Sequence, residues 1–514
     1  MGSPRIACLE EGLRALTILL SYILLYYFIR LPTYGTDLAY YDNQEHLYHT
    51  LSFLHGKVPY RDDFNHHFVG YVAPYVWLSK IFGFSVEIAA YVRHLNQALV
   101  GLFTFLVVSR FAPKSLAYVC GLLAIGAREP WTLNFYALHN LSVLYLCMLY
   151  LCLRYLKTGQ ALLPQMAFFL CGAALTCDQR GLFFLAIPIA ALYLKHEISS
   201  KKVLSSAAAF LTLPAAAILY LWANQALLPF WEQTIIFPSQ FRSGSQSLLE
   251  LITLWAMAHK YLYLNSPLLL LFGLFGLFAL IFDKRCRYFG LSEEERSLLL
   301  LCALSVLTVP FFGARDFDYY TVTTLPFLAI MSGCCFLRFQ HIYVGRVVLW
   351  LSLLLACALP FVGFIVDRGA FAKKLEAGDG TNEVVAYLKE HAQPQEDLYV
   401  WGYRYDIYLY LEKLAAYPFA NQILIDPDQL IVGESARKLH VYPKYEELFR
   451  RLTQEHLPTW LVIFLRGDEP RQSSASDRLV NQLARERYSK VFDSEKRDFL
   501  DKKVSFRVYR KLVP

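Results

Sequence analysis

After its first apolar run the chain carries ionisable and aromatic residues at close spacing: Asp37, Asp42, Glu45, His46, Tyr48 and His49. Gly56-Lys57-Val58-Pro59-Tyr60-Arg61-Asp62-Asp63-Phe64-Asn65-His66-His67 then follows. Ionisable groups held against a bilayer are costly and mark sites or pathways. A carboxylate there has its pKa raised by desolvation, which suits it to take a proton from a hydroxyl. Arginines stand at the ends of later apolar runs, at Arg93, Arg180 and Arg315. A guanidinium there matches phosphate oxygens bidentately; interfacial snorkelling is the plain alternative for each. His46 and His49 are three apart, with His55, His66 and His67 nearby, but no His-Glu-x-x-His or Cys-x-x-Cys accompanies them. Hydrogen bonding to substrate or interfacial packing is therefore preferred, and no metal ligand is assigned. No P-loop, GxGxxG or Gly-x-Ser-x-Gly pattern is present, against nucleotide-driven or serine-hydrolase chemistry.

These residues need a membrane scaffold. Of 514 residues 56% are hydrophobic and 16% aromatic, too apolar for an ordinary soluble globule. The reading is a polytopic α-helical membrane protein with a small C-terminal external α/β domain. Apolar spans are expected over Gly12–Leu31, Glu87–Phe111, Ser115–Ile125, Leu138–Tyr155, Leu162–Thr176, Gly181–Leu194 and Val203–Trp222. Others follow over Ser266–Phe282, Ser297–Gly313, Thr321–Phe336 and Val347–Val366, for about 11–13 transmembrane helices in all. Lys and Arg fall on alternate loops, which the positive-inside rule makes cytoplasmic together with the N-terminus. The loop 32–83, with membrane-skimming helices, and the segments at 128–139, 178–180, 225–246 and 315–320 then face outside. Residues 1–366 form the membrane domain and 367–514 the external one.

In that external part Thr381 reads as a helix N-cap, Asp397–Gly402 and Thr459–Leu465 as buried strands, Lys444–His456 as a helix, and Val504–Tyr509 as an edge strand. All 11 cysteines lie between Cys8 and Cys357, with no disulfide framework, and the net charge of +7 offers no broad basic field for nucleic acid.

The order of pieces resembles the GT-C glycosyltransferases, including protein O-mannosyltransferases and aminoarabinose transferases of the bacterial branch. The pieces are Asp42 after the first span, Gly56 to Asp62, and an aromatic stretch from Phe68 ending in Phe82-Gly83. Arg93, then Arg315-Asp316-Phe317-Asp318-Tyr319-Tyr320 with Pro326, and the segment Asp397 to Tyr408 complete the match. Where the family has Asp-Glu this chain has Asp42-Asn43, with Glu45 two positions on; His66-His67-Phe68 replaces a His-Pro-Pro-like segment, and Tyr319-Tyr320 a His-Tyr.

The resemblance implies an inverting transfer of a sugar from a polyprenyl-phosphate donor to an envelope glycan, lipid or protein on the outer face of an inner (plasma) membrane. Asp42 is the expected base, and its alternative is to cap a helix over Gln44–Leu54. Glu45, Arg61 and Asp62 are a supporting acid or loop partners. Arg93, Arg180 and Arg315 are expected at the donor phosphate. Tyr71, Tyr75, Trp77, His66, His67, Tyr319 and Tyr320 are expected at substrate or lipid. No cofactor is assigned, with room left for a divalent cation. The rival readings are a transporter or flippase of lipid-linked sugars and a noncatalytic subunit of an envelope-assembly complex.

Overall fold

A computed structural model describes residues 4–30, 41–128, 137–240, 266–282, 290–311, 321–339, 379–420, 442–466, 474–497 and 503–512, with scattered positions at 249–260 and at 422, 425 and 426. Most of the described chain is helical. The helices α1 (Pro4–Arg30), α2 (Tyr41–Leu54), α3 (Ala73–Phe82), α4 (Ile88–Val108), α5 (Lys114–Arg128), α6 (Ala137–Thr158), α7 (Leu162–Cys177), α8 (Ala186–Leu194) and α9 (Ser200–Ala223) follow in order. Pro267–Phe282, Glu293–Phe311 and Thr324–Phe339 follow among the described residues. Each expected span through Phe336 falls on a helix; Val347–Val366 and the proposed domain boundary lie outside the described residues.

Among the described residues three helices, α4, α6 and α9, are long and apolar enough to cross a membrane by length and composition, and several apolar helices are shorter. The finding is narrower than the expected 11–13 spans, because α7 and Pro267–Phe282 have 16 residues each, about 24 Å of helix against about 30 Å of hydrocarbon. α4 packs on α1, α5 and α6, and α7 on α6 and α9. Leu204, Leu219 and Trp222 of α9 point outward, as lipid-facing side chains do. Pro267–Phe282 and Thr324–Phe339 approach until a Cβ on Gly276 would lie 1.7 Å from the Met331 carbonyl oxygen, so only glycine permits that crossing.

Towards the C-terminus β1 (Leu398–Trp401), β2 (Trp460–Arg466), β3 (Tyr488–Arg497) and β4 (Lys503–Lys511) form a sheet in the order β1-β2-β4-β3. β1 and β2 are parallel, with Leu398 opposite Trp460, while β4 runs antiparallel to both β2 and β3. The helices Thr381–His391, Tyr405–Leu411, Pro443–Glu455 and Ala475–Arg487 accompany it. Two expectations change here. The segment 504–509 is an inner strand, because β3 pairs with its outer side and buries Val504, Phe506 and Val508. Thr381 is the first residue of its helix, and Asp379 accepts hydrogen bonds from both its N–H and its hydroxyl.

Arg404 is largely buried, 11% exposed, between Asp379, which keeps 31% exposure, and the buried Asp406, with its guanidinium 4.9 Å from the ring centres of both Phe464 and Phe506. One apolar cluster joins this unit to the membrane part. Leu47, Tyr48 and Leu51 of α2, with Tyr75, Ile88 and Val92, pack against Val400, Tyr405, Tyr408 and Phe506.

Candidate active site in the first loop

α2 is covered on nearly every side, with Asn43 through Thr50 all buried. Positions 42, 45, 46 and 49 recur at helical spacing and so share one face. The helix begins at Tyr41, with Asp42 as its second residue. The Asp42 side chain lies outside the described residues, as do Asp37, Arg315, Tyr319 and Tyr320.

A tight turn follows α2. Tyr60 adopts φ 69, a strained value for a residue with a Cβ, and the surroundings hold it there. Its N–H donates to the Asp63 carbonyl at 2.9 Å, its hydroxyl to the His67 carbonyl at 2.7 Å, and Gln233 donates from Nε2 to its carbonyl at 2.8 Å. Asp62 accepts from the Val58 N–H at 2.9 Å and pairs with Arg61 through two contacts of 2.7 and 2.8 Å. Arg61 also donates to the Asn224 carbonyl. The Arg61 hydrogen bond is the largest cause holding the Asp62 carboxyl below its usual range. Arg61 and Asp62 thus tie the turn together.

The turn delivers Asp63, His66 and His67 to the face of α2. His49 donates from Nδ1 to Asp63 Oδ2 at 2.6 Å, and its Nε2 faces Glu45 Oε1 at 3.4 Å. Burial disfavours an imidazolium there, but the charge and hydrogen bond of Asp63, reinforced by Glu45, push the His49 pKa up to about 9. Both carboxylates thus favour the protonated imidazole of His49, whose close contact is the one to Asp63. Burial likewise opposes the Glu45 carboxylate, and His49, with the adjoining His67 and His66, outweighs it and holds Glu45 well below its usual range. His66 Nδ1 and His67 Nε2 lie 3.7 and 3.9 Å from the Glu45 oxygens, and the three ligand-capable atoms fall within 4.8 Å of one another.

The other expected site residues are distributed as follows. Tyr71 and Tyr75 are buried, with the Tyr71 ring centre 4.5 Å from that of His46, whereas Trp77 is 71% exposed on the outer side of α3. Arg93 is buried in the first half of α4. Arg180 is buried and held by Asp178 in a fork, Nε to Oδ1 at 2.8 Å and Nη2 to Oδ2 at 2.6 Å. Burial of Asp178 would raise its pKa, and Arg180 overcomes that and lowers it. The fold therefore unites Glu45, His66, His67, Tyr71 and Tyr75, while Trp77 points away.

Three contributors carry no strong local signal. Asp63 reads in the sequence as one of a pair of loop aspartates. Gln233 accepts from the Asn65 N–H at 3.1 Å from a segment about 170 residues away along the chain, a contact no local pattern encodes. Tyr48 accepts from the Ala415 N–H at 3.0 Å and so docks α2 on the C-terminal unit.

Gly70 fixes the loop against the bundle: a Cβ there would lie 2.6 Å from the Thr176 carbonyl oxygen at the end of α7. Gly70→Ala must push the His66–Tyr71 segment off α7 by close to an ångström. If the loop is the reacting site, a displacement of that size costs about a hundredfold in rate. Hydrogen exchange should show faster exchange over 56–72 with α6 and α7 unchanged, and a variant with wild-type exchange and rate would sink the idea.

No family model and no curated protein matches the chain. Solved structures do. The crystal structure of ArnT from Cupriavidus metallidurans in the apo state aligns with a TM-score of 0.54 at 13% identity, covering 90% of this chain and 93% of that one. The same protein bound to undecaprenyl phosphate aligns with a TM-score of 0.56 at 14% identity, covering 96% and 97%. The Archaeoglobus fulgidus oligosaccharyltransferase aligns with a TM-score of 0.44 at 14% identity, over 87% of this chain and 67% of that one. At such identities the likeness to ArnT, over nearly the whole of both chains, is one of architecture: this protein has the fold of the GT-C membrane glycosyltransferases.

Proposed function

We propose that the chain is an inverting membrane glycosyltransferase that moves one sugar from a polyprenyl-phosphate carrier to an envelope glycan, lipid or protein. The observation that carries this reading is the buried carboxylate–imidazole group of the first loop, packed between the helix bundle and the C-terminal unit of a GT-C fold. The carrier enters by analogy with ArnT, whose structure was obtained with undecaprenyl phosphate.

In the proposed reaction the acceptor hydroxyl oxygen attacks the anomeric carbon from the face opposite the phosphate. The carbon–oxygen bond to the phosphate breaks with its electron pair, polyprenyl phosphate leaves, and the hydroxyl proton passes to Asp42. Asp42 stands one helical turn before Glu45 and His46, so a base there shares the α2 face with the buried group. Arg93 and Arg315 are assigned to the leaving phosphate; Arg180 joins them only by exchanging Asp178 for a phosphate oxygen. Trp77 is assigned to lipid. The proposed orientation has a cytoplasmic N-terminus and an external C-terminal domain at the inner (plasma) membrane.

The test is transfer in proteoliposomes supplied with a panel of labelled polyprenyl-phosphate sugars and envelope lipid, glycan and protein acceptors. Label is expected to move to an acceptor. Label that crosses the bilayer without changing its carrier would overturn the reading in favour of a transporter.

A further inference from the structure

β1 is followed by two consecutive residues with left-handed backbone, Gly402 at φ 124 and Tyr403 at φ 58. The first needs glycine, since a Cβ there would lie 2.8 Å from the Phe464 Cβ. The second carries a side chain at a torsion that costs free energy, so its surroundings must hold it. Gln422 does so: it accepts from the Gly402 N–H at 2.9 Å and donates from Nε2 to the Val400 carbonyl at 2.7 Å. Tyr403, 8% exposed, then joins an apolar cluster with Phe64 of the first loop and Phe237. Phe64 stacks on His66 with ring centres 6.3 Å apart, and its N–H donates to the Pro418 carbonyl at 3.0 Å. This cluster therefore seats the C-terminal unit directly against the first loop.

Packing alone requires neither the torsion nor the hydroxyl at position 403, because phenylalanine fills the same volume and a buried hydroxyl carries a desolvation cost. The surroundings show what the hydroxyl is near. Burial, followed by the carboxylates of Asp426 and Glu45, pushes the Tyr403 phenol well above its ordinary range, so it keeps its proton. A phenol that keeps its proton is a dipole able to steady a neighbouring carboxylate. We infer that Tyr403 is a positioning residue of the first-loop site, contributed by the C-terminal unit: its hydroxyl orients Glu45 and, through Glu45, His66 and His67. The site is then built from both parts of the chain, and strain at position 403 persists because the role needs it. Only the kinetic consequence of the inference rests on the transferase reading; the placement does not.

The test compares Tyr403→Phe with Tyr417→Phe in the full chain in detergent. Tyr417 belongs to the same aromatic cluster, but its hydroxyl donates to the His456 carbonyl. With isotopically labelled histidine, and signals assigned by single histidine replacements, Tyr403→Phe is expected to shift the imidazole resonances of His66 and His67. Tyr417→Phe should leave them in place. In the transfer assay Tyr403→Phe should lower kcat by about tenfold to a hundredfold, with the donor KM within about twofold and the thermal midpoint at the wild-type value. A merely structural Tyr403 would lower the midpoint and spare kcat. Unmoved imidazole resonances overturn the inference whether or not the chain transfers sugar, and so does a wild-type kcat in Tyr403→Phe. A wild type that transfers no sugar overturns the transferase reading alone, and the resonances then decide the role of Tyr403.

Discussion

Asp42→Asn is expected to lower sugar transfer by about 10²–10⁴-fold, the range for loss of a positioned general base, while the thermal midpoint stays near wild type. The substitution conserves size and hydrogen-bonding reach and removes only the capacity to take a proton. A purely structural Asp42 predicts a different outcome, because Asn is a good helix-start residue and would leave both rate and stability intact. Donor binding separates the two further: a base variant should bind labelled polyprenyl-phosphate sugar as wild type does and fail only in turnover. Transfer unaffected by the change would shift the role to Glu45, which is buried one turn along the same helix. The rate loss should also appear with every acceptor that the wild type accepts, since proton removal is common to all of them.

The second large effect concerns Arg404. Arg404→Met removes the cation between Asp379 and Asp406 and leaves two carboxylates in a site shared with Phe464 and Phe506. Breaking a fully buried ion pair on one side costs about 3–5 kcal/mol; with Asp379 31% exposed the loss is expected at about 2–3 kcal/mol, still a large part of the stability of a small domain. Urea unfolding followed by the fluorescence of the buried Trp401 and Trp460 should report it. The triple variant Arg404→Met, Asp379→Asn, Asp406→Asn should recover part of the loss, because it leaves no uncompensated charge. A loss below about 1 kcal/mol, the scale of an exposed pair, would contradict the buried reading.

The pH dependence follows from the same contacts. Burial works against the Asp379 carboxylate, and Arg404 and Thr381 outweigh it, bringing its pKa from 3.8 down to about 2. A group depressed in the folded state stabilises above its unfolded pKa. That contribution, about 2 kcal/mol, is therefore present above pH 4 and lost as pH falls through about 2, and Asp379→Asn should abolish it.

Much of the framework was legible along the chain. Apolar runs of helical length became helices wherever they fall on described residues, because in a bilayer the backbone must satisfy its own hydrogen bonds and local composition suffices to say so. β1 and β2 were legible for a related reason, since strands buried on both faces read as continuous apolar runs. β4 shows the limit. Its alternation was plain, but its place inside the sheet depends on β3, whose residues Ser489, Lys490, Asp493 and Glu495 carry no such pattern.

The first loop divides in the same way. Residue types and the face shared by positions 42, 45, 46 and 49 follow from the sequence alone, because helix geometry is local. The fork of Arg61 on Asp62 and the contact with the distant Asn224 carbonyl, by contrast, appear only once the chain is folded. Tyr71 and Tyr75 read as aromatic residues for substrate or lipid, yet lie buried beside His46, since α3 presents one side to the protein and sends Trp77 out.

The sequence by itself determined a membrane-borne helical chain with a charged first loop and a mixed helix–strand unit at its end. Hydropathy, charge asymmetry and helix periodicity are properties of neighbouring residues. Only the tertiary structure decided that Glu45 meets His66 and His67, that His49 lies between Asp63 and Glu45, and that Gln233 and Tyr48 hold the loop in place. Those contacts join residues separated by a turn or by hundreds of positions, and a charge state set by burial and partners exists only once the chain has closed around it.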